Sequence, residues 1–179
     1  METERAIVAF GTQAVLQYRA MAQTRHDNDV PPGYLRARIA EGLHTRFGGA
    51  VQVERQYALL AMDLGLQVTA DLLGVLGGQR ADIALYRGGR PAGLVELKIF
   101  DETNVLPGVD TQLYRAGILA AAGQIPLLLG VMICPFGGSL EARIERLHDA
   151  VGGNLYVGER QTARDGTWQW CFACASIRS

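Results

Sequence analysis

The sequence predicts an α/β protein in which one mixed β-sheet is flanked by helices. Segments with helical spacing of apolar residues are interspersed along the chain with segments that alternate in polarity or are continuously apolar. The run 125–134 is typical of a strand that is buried on both faces of a sheet. With 179 residues, of which 49% are apolar and 20% charged, we expect one domain spanning 1–179 with a substantial core.

The N-terminal part predicts two helices. Residues 3–22 form an amphipathic pattern, and with the polar loop that follows they make an N-terminal packing helix and loop over 1–30. The second helix covers 34–47 and ends at Gly48-Gly49, since glycine favours the left-handed conformation that closes a helix.

The middle of the chain predicts strands. Residues 50–60 are expected to form one strand, whereas 62–78 fit either a strand and turn or a short helix. Residues 80–86 alternate in polarity, and 94–100 are apolar except at two positions. The glycine-rich segment 87–91 predicts a tight turn between these two strands.

The last third continues the alternation of helices and strands. A loop over 101–108 leads to Asp110, which is expected to cap a helix over 111–122. After the apolar strand 125–134, Ser139 is expected to cap a helix that ends at Val151. The final segments, 154–159 and 168–177, predict two more strands.

Glu96 and Lys98 stand out within the apolar strand. Side chains two residues apart lie on the same face of a strand, and charged groups inside a sheet are costly unless they are paired or bind a metal. Lys98 is the only lysine beside sixteen arginines. Because that bias supplies arginine for surface cations, a lysine at this position points to a chemical role.

The spacing of the acids completes a known pattern. Asp82, thirteen further residues and then Glu96-Leu97-Lys98 resemble the D…(D/E)xK signature of the PD-(D/E)xK nucleases, with Ala81 where the signature has proline. The resemblance covers roughly 34–134 and implies a restriction-endonuclease-like fold. It also implies that Asp82, Glu96 and the Leu97 carbonyl hold Mg²⁺ or Mn²⁺, while Lys98 orients the attacking water or offsets charge on the phosphate.

Many members of that superfamily add a helical glutamate to the metal site. By its place in the chain, Glu41 is the counterpart that the resemblance implies. At about 100° per residue, however, Glu41 falls opposite the apolar stripe of its helix and fits a solvated position as well. Glu54, on the strand predicted over 50–60, is the alternative additional acid, and an outward polar face is its other interpretation.

The helix predicted over 111–122 resembles in its first turn the QLxxY-type helix of helicase-associated members. Tyr114 follows Gln112 by two residues rather than four. The resemblance therefore extends only to Gln112 and to Arg115, as residues that line the cleft near the metal. An exposed polar helix face is the alternative.

The expected function is metal-dependent hydrolysis of phosphodiester bonds in DNA, with RNA as a further possible substrate. A net charge of −1 argues against a chain that coats nucleic acid through its overall field, but leaves room for a local basic cleft. We expect a cytoplasmic protein, because the acidic start does not read as a signal peptide. The sequence is compatible with a homodimer and with a larger protein complex. The candidate phosphate contacts are Arg80, Arg87, Arg90 and Arg115.

Three other interpretations remain. The chain can be a nuclease-fold subunit that binds or scaffolds without catalysis, or an unrelated α/β module in which Glu96 and Lys98 form a structural ion pair. A zinc site is the third, in which Cys171 and Cys174 join Cys134 and His148.

Under the nuclease interpretation, Asp82 and Glu96 are two crowded carboxylates. Removing one charge by Asp82→Asn is therefore predicted to raise the melting temperature of the metal-free protein.

Overall fold

The structure is a computed structural model that describes residues 1–24, 26–100, 111–134, 139–152 and 154–177. The helices and strands follow one another along the chain in an alternating order. They are α1 (Glu2–Ala22), a short 3-10 helix (Asp27–Asp29), α2 (Pro32–Phe47), β1 (Val51–Gln56), α3 (Tyr57–Asp63), α4 (Ala70–Leu76), β2 (Arg80–Arg87), β3 (Arg90–Phe100), α5 (Thr111–Gly123), β4 (Leu127–Ile133), α6 (Leu140–Val151), β5 (Leu155–Val157), β6 (Gln161–Thr162) and β7 (Gln169–Ile177).

Seven strands form one mixed sheet. Its order is β1-β2-β3-β4-β7-β5, and β6 pairs with β7. β3 and β4 are parallel and are joined through α5, whereas the other described pairs are antiparallel. The predicted class, an α/β protein with a mixed sheet flanked by helices, is confirmed.

Each face of the sheet has its own apolar core. On β4, Leu129 and Val131 pack with α3, α4, α5 and α6, while Leu128 and Met132 pack with α1 and α2. We call these the α3–α6 face and the α1/α2 face. All seven residues of β4 are buried, as predicted for this strand, because both faces are covered.

The end of β1 differs from the prediction. The strand expected over 50–60 stops at Gln56, and Tyr57 begins α3, with its N–H donating to the carbonyl of Gln79 at 3.1 Å. Tyr57, Leu60 and Ala61 are buried at helical spacing, three and four residues apart. Tertiary burial of this face therefore selects a helix where local sequence suggested a strand.

The ambiguous segment 62–78 contains the short helix α4. Thr69 caps it by accepting a hydrogen bond from the N–H of Leu72 at 3.2 Å. The hairpin between β2 and β3 turns at Gly88 and Gly89, which have φ of 59° and 79°. Because the turn is this tight, β3 begins at Arg90, before the predicted start at residue 94.

The remaining helices agree with the sequence predictions to within about two residues. Gly48 ends α2 in the left-handed region with φ 66°, and the Ser139 hydroxyl accepts from the N–H of Ala142. The predicted loop 101–108 and the predicted cap Asp110 lie outside the described residues. Among the described helices, none combines the length and the apolar character needed to cross a membrane.

Candidate functional site

The site begins where β2 and β3 separate. Within residues 80–100, backbone pairing of the two strands ends at Ile83 and Val95. Continued by one residue, that register sets Asp82 opposite Glu96. The Glu96 side chain lies on the α3–α6 face with Tyr57, whereas Asp82 also contacts Arg36 of α2. Beyond this point β2 pairs with β1 and β3 pairs with β4, so the strands open a gap beside the two acids.

Glu96 is fully buried at the base of this gap. Its Oε1 accepts a hydrogen bond from the Tyr57 hydroxyl at 2.8 Å. Burial raises the pKa of Glu96 to about 8, and the negative charge of Asp82 adds to the rise. The Tyr57 hydrogen bond and the positive charge of Lys98, two residues along the same face of β3, act in the opposite direction.

Asp82 is held at both carboxylate oxygens. Its Oδ2 accepts from the backbone N–H of Leu97 at 2.8 Å, in place of the strand pairing that has ended. Its Oδ1 accepts from Nη1 of Arg36 at 2.8 Å. The carboxylate is therefore oriented by β3 on one side and by α2 on the other.

Arg36 extends this arrangement to β1. Its Nη2 donates to Oε1 of Glu54 at 2.6 Å. Glu54 has φ 53°, an unusual conformation for a residue other than glycine, and its carbonyl accepts from Nη1 of Arg80 at 3.1 Å. Glu54 is thus linked to Asp82 through one guanidinium group.

Several residues predicted from the sequence meet here. Asp82 lies opposite Glu96, Lys98 shares the face of Glu96 on β3, and Arg80 lies beside Glu54 at the start of β2. The Leu97 N–H donates to Asp82, and the role of the Leu97 carbonyl as a metal ligand stays a prediction. Of the two alternative acids, Glu54 is the one that the structure connects to Asp82.

Glu41 lies elsewhere on α2. It follows Arg36 by five residues, which rotates it about 140° around the helix. Its exposed carboxylate pairs with Arg38 at 2.5 Å. The expectation that Glu41 adds to the metal site is not met, because α2 turns Arg36 toward Asp82 and Glu41 toward solvent.

Two of the predicted phosphate contacts also lie away from the site. Arg87 and Arg90 are exposed at the hairpin, about 17–20 Å along the strands from the acids. Arg115 is partly buried on α5. The backbone of Gln112 belongs to α5, while its side chain lies outside the described residues.

Arg36 and Tyr57 were missed by sequence reasoning. Arg36 follows Leu35, a member of the apolar stripe, and so lies at the border of the buried face of α2. This position on the helix was the sequence signal available for Arg36, but it does not indicate which residue Arg36 binds. Tyr57 was assigned to a strand, and on a strand its hydroxyl had no predicted acceptor.

The proposed zinc ligands do not converge. Cys171 packs on the α3–α6 face and Cys174 on the α1/α2 face, because residues three apart on a strand point to opposite sides. Burial raises the pKa of the Cys171 thiol to about 12 and raises that of Cys174 further, so neither is an accessible thiolate.

The donor set at the gap suits a hard cation. In the described part of the chain no three His, Cys, Asp or Glu residues converge, so the protein offers two carboxylates rather than a complete cage. Mg²⁺ is commonly held in this way, by one or two carboxylates together with water and substrate phosphates. The residues present therefore fit such an ion.

Comparison with known proteins does not name a relative. No family model matches this chain, and no curated protein or solved structure matches it either. The interpretation of the site therefore depends on its own geometry.

Proposed function

We propose that this protein is a metal-dependent nuclease of the PD-(D/E)xK type, an endonuclease that hydrolyses phosphodiester bonds in DNA. The observation that carries the proposal is that Asp82 and Glu96 lie opposite each other where two strands part, with Lys98 on the same face of β3 as Glu96. These residues form the D…ExK pattern in sequence, and their side chains also come together in space.

The two carboxylates would hold Mg²⁺ or Mn²⁺. When bound, such an ion polarises the scissile phosphate and lowers the pKa of a water molecule. Glu96 is kept in place for this role by the Tyr57 hydroxyl, and Asp82 by the Leu97 N–H. A carboxylate whose rotamer is fixed by hydrogen bonds loses little further freedom on binding a cation.

Cationic groups around the acids have separate roles in the proposal. Lys98 lies near Glu96 and offsets charge that develops on the phosphate, or orients the attacking water. Arg80, two residues before Asp82 on β2, is a phosphate contact in the proposal, since an arginine fork binds phosphate oxygens well. Gln112 and Arg115 belong to the proposal as residues of α5 that position DNA. A cytoplasmic setting also belongs to it, in keeping with three free cysteines.

Direct cleavage tests this proposal. Purified protein is expected to nick supercoiled DNA with Mg²⁺ or Mn²⁺ and to stop when the metal is chelated. Lys98→Ala and Asp82→Ala should each reduce the rate by at least a hundredfold, because each removes charge from the reacting centre. Glu41→Ala, an exposed acid outside the site, should cleave at the parent rate. Cleavage by Lys98→Ala at the parent rate would refute the catalytic assignment.

An inactive nuclease-fold subunit is the second candidate. It is favoured by one observation, the ion pair between Arg36 and Asp82, which gives this acid a partner within the protein. The same assay separates the two functions, because a binding subunit should retain DNA in a gel-shift experiment without nicking it at any metal concentration. Single-stranded RNA in parallel reactions distinguishes the two nucleic acids.

A further inference from the structure

Arg36 joins acids from two neighbouring strands. Nη1 lies 2.8 Å from Oδ1 of Asp82, and Nη2 lies 2.6 Å from Oε1 of Glu54. The Asp82 side chain is 8% exposed and the Arg36 side chain 22%, whereas Glu54 is half exposed. The guanidinium group therefore lies at the rim of the site, with Nη1 bound to the buried Asp82 and Nη2 bound to the half-exposed Glu54.

The local backbone supports this contact. Glu54 is directly opposite Asp82, between the paired positions Val53–Ile83 and Arg55–Ala81. Its left-handed φ of 53° is unfavourable for a glutamate and persists only where the surroundings hold it. The surroundings here are two arginines, with Arg80 bound to the Glu54 carbonyl and Arg36 to its carboxylate.

The two donors to Asp82 differ in how easily they move. The Leu97 N–H is part of β3, which is paired with β4 from Leu94 to Phe100. Arg36 is a long side chain that reaches in from α2. A cation that approaches Asp82 is repelled by the guanidinium but not by the neutral N–H, so Arg36 is the group that has to shift.

We propose that Arg36 is a positioning residue that supplies the counter-charge of Asp82 in the metal-free protein and competes with a divalent cation for that carboxylate. The inference rests on the metal site of the proposed function and adds its regulation. Arg36 keeps the site neutralised before metal binds, at the cost of a weaker metal affinity. Glu54 holds the guanidinium at the rim when it leaves Asp82.

Mn²⁺ binding tests the inference without using cleavage. The free ion is followed by electron paramagnetic resonance during titration of the parent, Arg36→Gln and Arg38→Gln proteins. Arg36→Gln is expected to lower the dissociation constant about tenfold, the size of one charge-assisted hydrogen bond. Arg38 lies on the same helix but pairs with Glu41, so Arg38→Gln should bind as the parent does.

A gain in affinity distinguishes competition from a structural role, because loss of a merely structural contact does not tighten metal binding. The double variant Asp82→Asn/Arg36→Gln should lose the gain. If Arg36→Gln does not fold, Arg36→Met serves instead, since methionine keeps an apolar stem without the charge, and a tighter dissociation constant is again expected.

Other outcomes overturn the inference. An unchanged or weaker dissociation constant in Arg36→Gln refutes the competition, and if the parent still cleaves DNA with metal, the proposed function stands without it. Absence of Mn²⁺ binding in all the proteins refutes the competition and the metal site together. Binding by Arg36→Gln alone supports the competition and shows that Arg36 closes the site.

Discussion

At the scale of single residues, Glu96 is the most informative group. It is fully buried, accepts from Tyr57 and lies beside a second acid, and burial raises its pKa to about 8. A glutamate on a buried strand is costly when ionised. In the metal-free protein Glu96 therefore favours its protonated, neutral form near pH 7.

This leads to a pH prediction for the metal-free protein. The folded pKa of about 8 lies above the ordinary value of 4.5, so protonated Glu96 favours the folded state. That contribution is complete below pH about 4.5 and is lost as the pH rises through about 8. We expect the parent to lose on the order of a few kcal/mol of unfolding free energy across this range relative to Glu96→Gln.

Urea unfolding of both proteins with chelator, between pH 4.5 and 9, measures this difference. Glu96→Gln keeps an amide oxygen for the Tyr57 hydroxyl but cannot ionise, so it is a matched control for the charge. All other ionisable groups are common to both proteins, so their effects largely cancel in the comparison. Parallel pH profiles of the two proteins would show that Glu96 does not change its ionisation in this window.

At the scale of elements, the site depends on how α2 is held. α2 packs on α1 at Gly42, where an added Cβ would lie 2.4–2.6 Å from ring atoms of Phe10. This close approach sets the position from which Arg36 reaches Asp82. The sheet makes the complementary contribution, since the separation of β2 from β3 frees the Leu97 N–H for the Asp82 carboxylate.

Gly42→Ala should therefore destabilise the protein although alanine favours helix. We expect a loss of about 1–3 kcal/mol, because a methyl group forced against a packed ring moves α2 or the ring. Gly117→Ala on α5 is the matched control, since an added Cβ there meets no atom within 4 Å. It should gain up to about 1 kcal/mol from helix propensity. Chemical denaturation measures both, and equal effects would contradict the packing argument.

At the scale of the whole molecule, the proposed metal site couples binding to folding. A cation that binds only the folded chain stabilises it by about 2.7 kcal/mol at a hundred times its dissociation constant. We expect Mn²⁺ to raise the melting temperature of the parent and of Glu41→Gln equally. Asp82→Asn should show a smaller rise, measured by thermal unfolding across a Mn²⁺ titration. Equal shifts in the parent and Asp82→Asn would exclude Asp82 as a ligand.

The metal-free melting temperature of Asp82→Asn tests whether the contacts that Asp82 makes stabilise the protein. The sequence alone predicts that it rises, because one of two crowded charges is removed. In the structure Asp82 accepts charge-assisted hydrogen bonding from Arg36 and a hydrogen bond from Leu97. Loss of the Arg36 pair in a partly buried site opposes the relief of repulsion, so we now expect the melting temperature to fall.

Local patterns in the sequence determined the α/β class and most of the elements. The helical spacing of apolar residues and the residues that favour helix ends predict α1, α2, α5 and α6. Both signals are encoded within a few residues of the chain. The strands that carry Asp82, Glu96 and Lys98 were predicted in the same way. Since residues two apart share a face, the pairing of Glu96 with Lys98 on one side also followed from sequence.

Only the tertiary structure decided which further groups surround the acids. Tyr57 starts a helix rather than ending a strand because burial against α5 and the sheet outweighs local preference. Arg36, and not Glu41, faces Asp82 because the packing of α2 fixes its rotation about its own axis. Such contacts join residues up to 46 positions apart, and no local pattern encodes the partner of a long side chain.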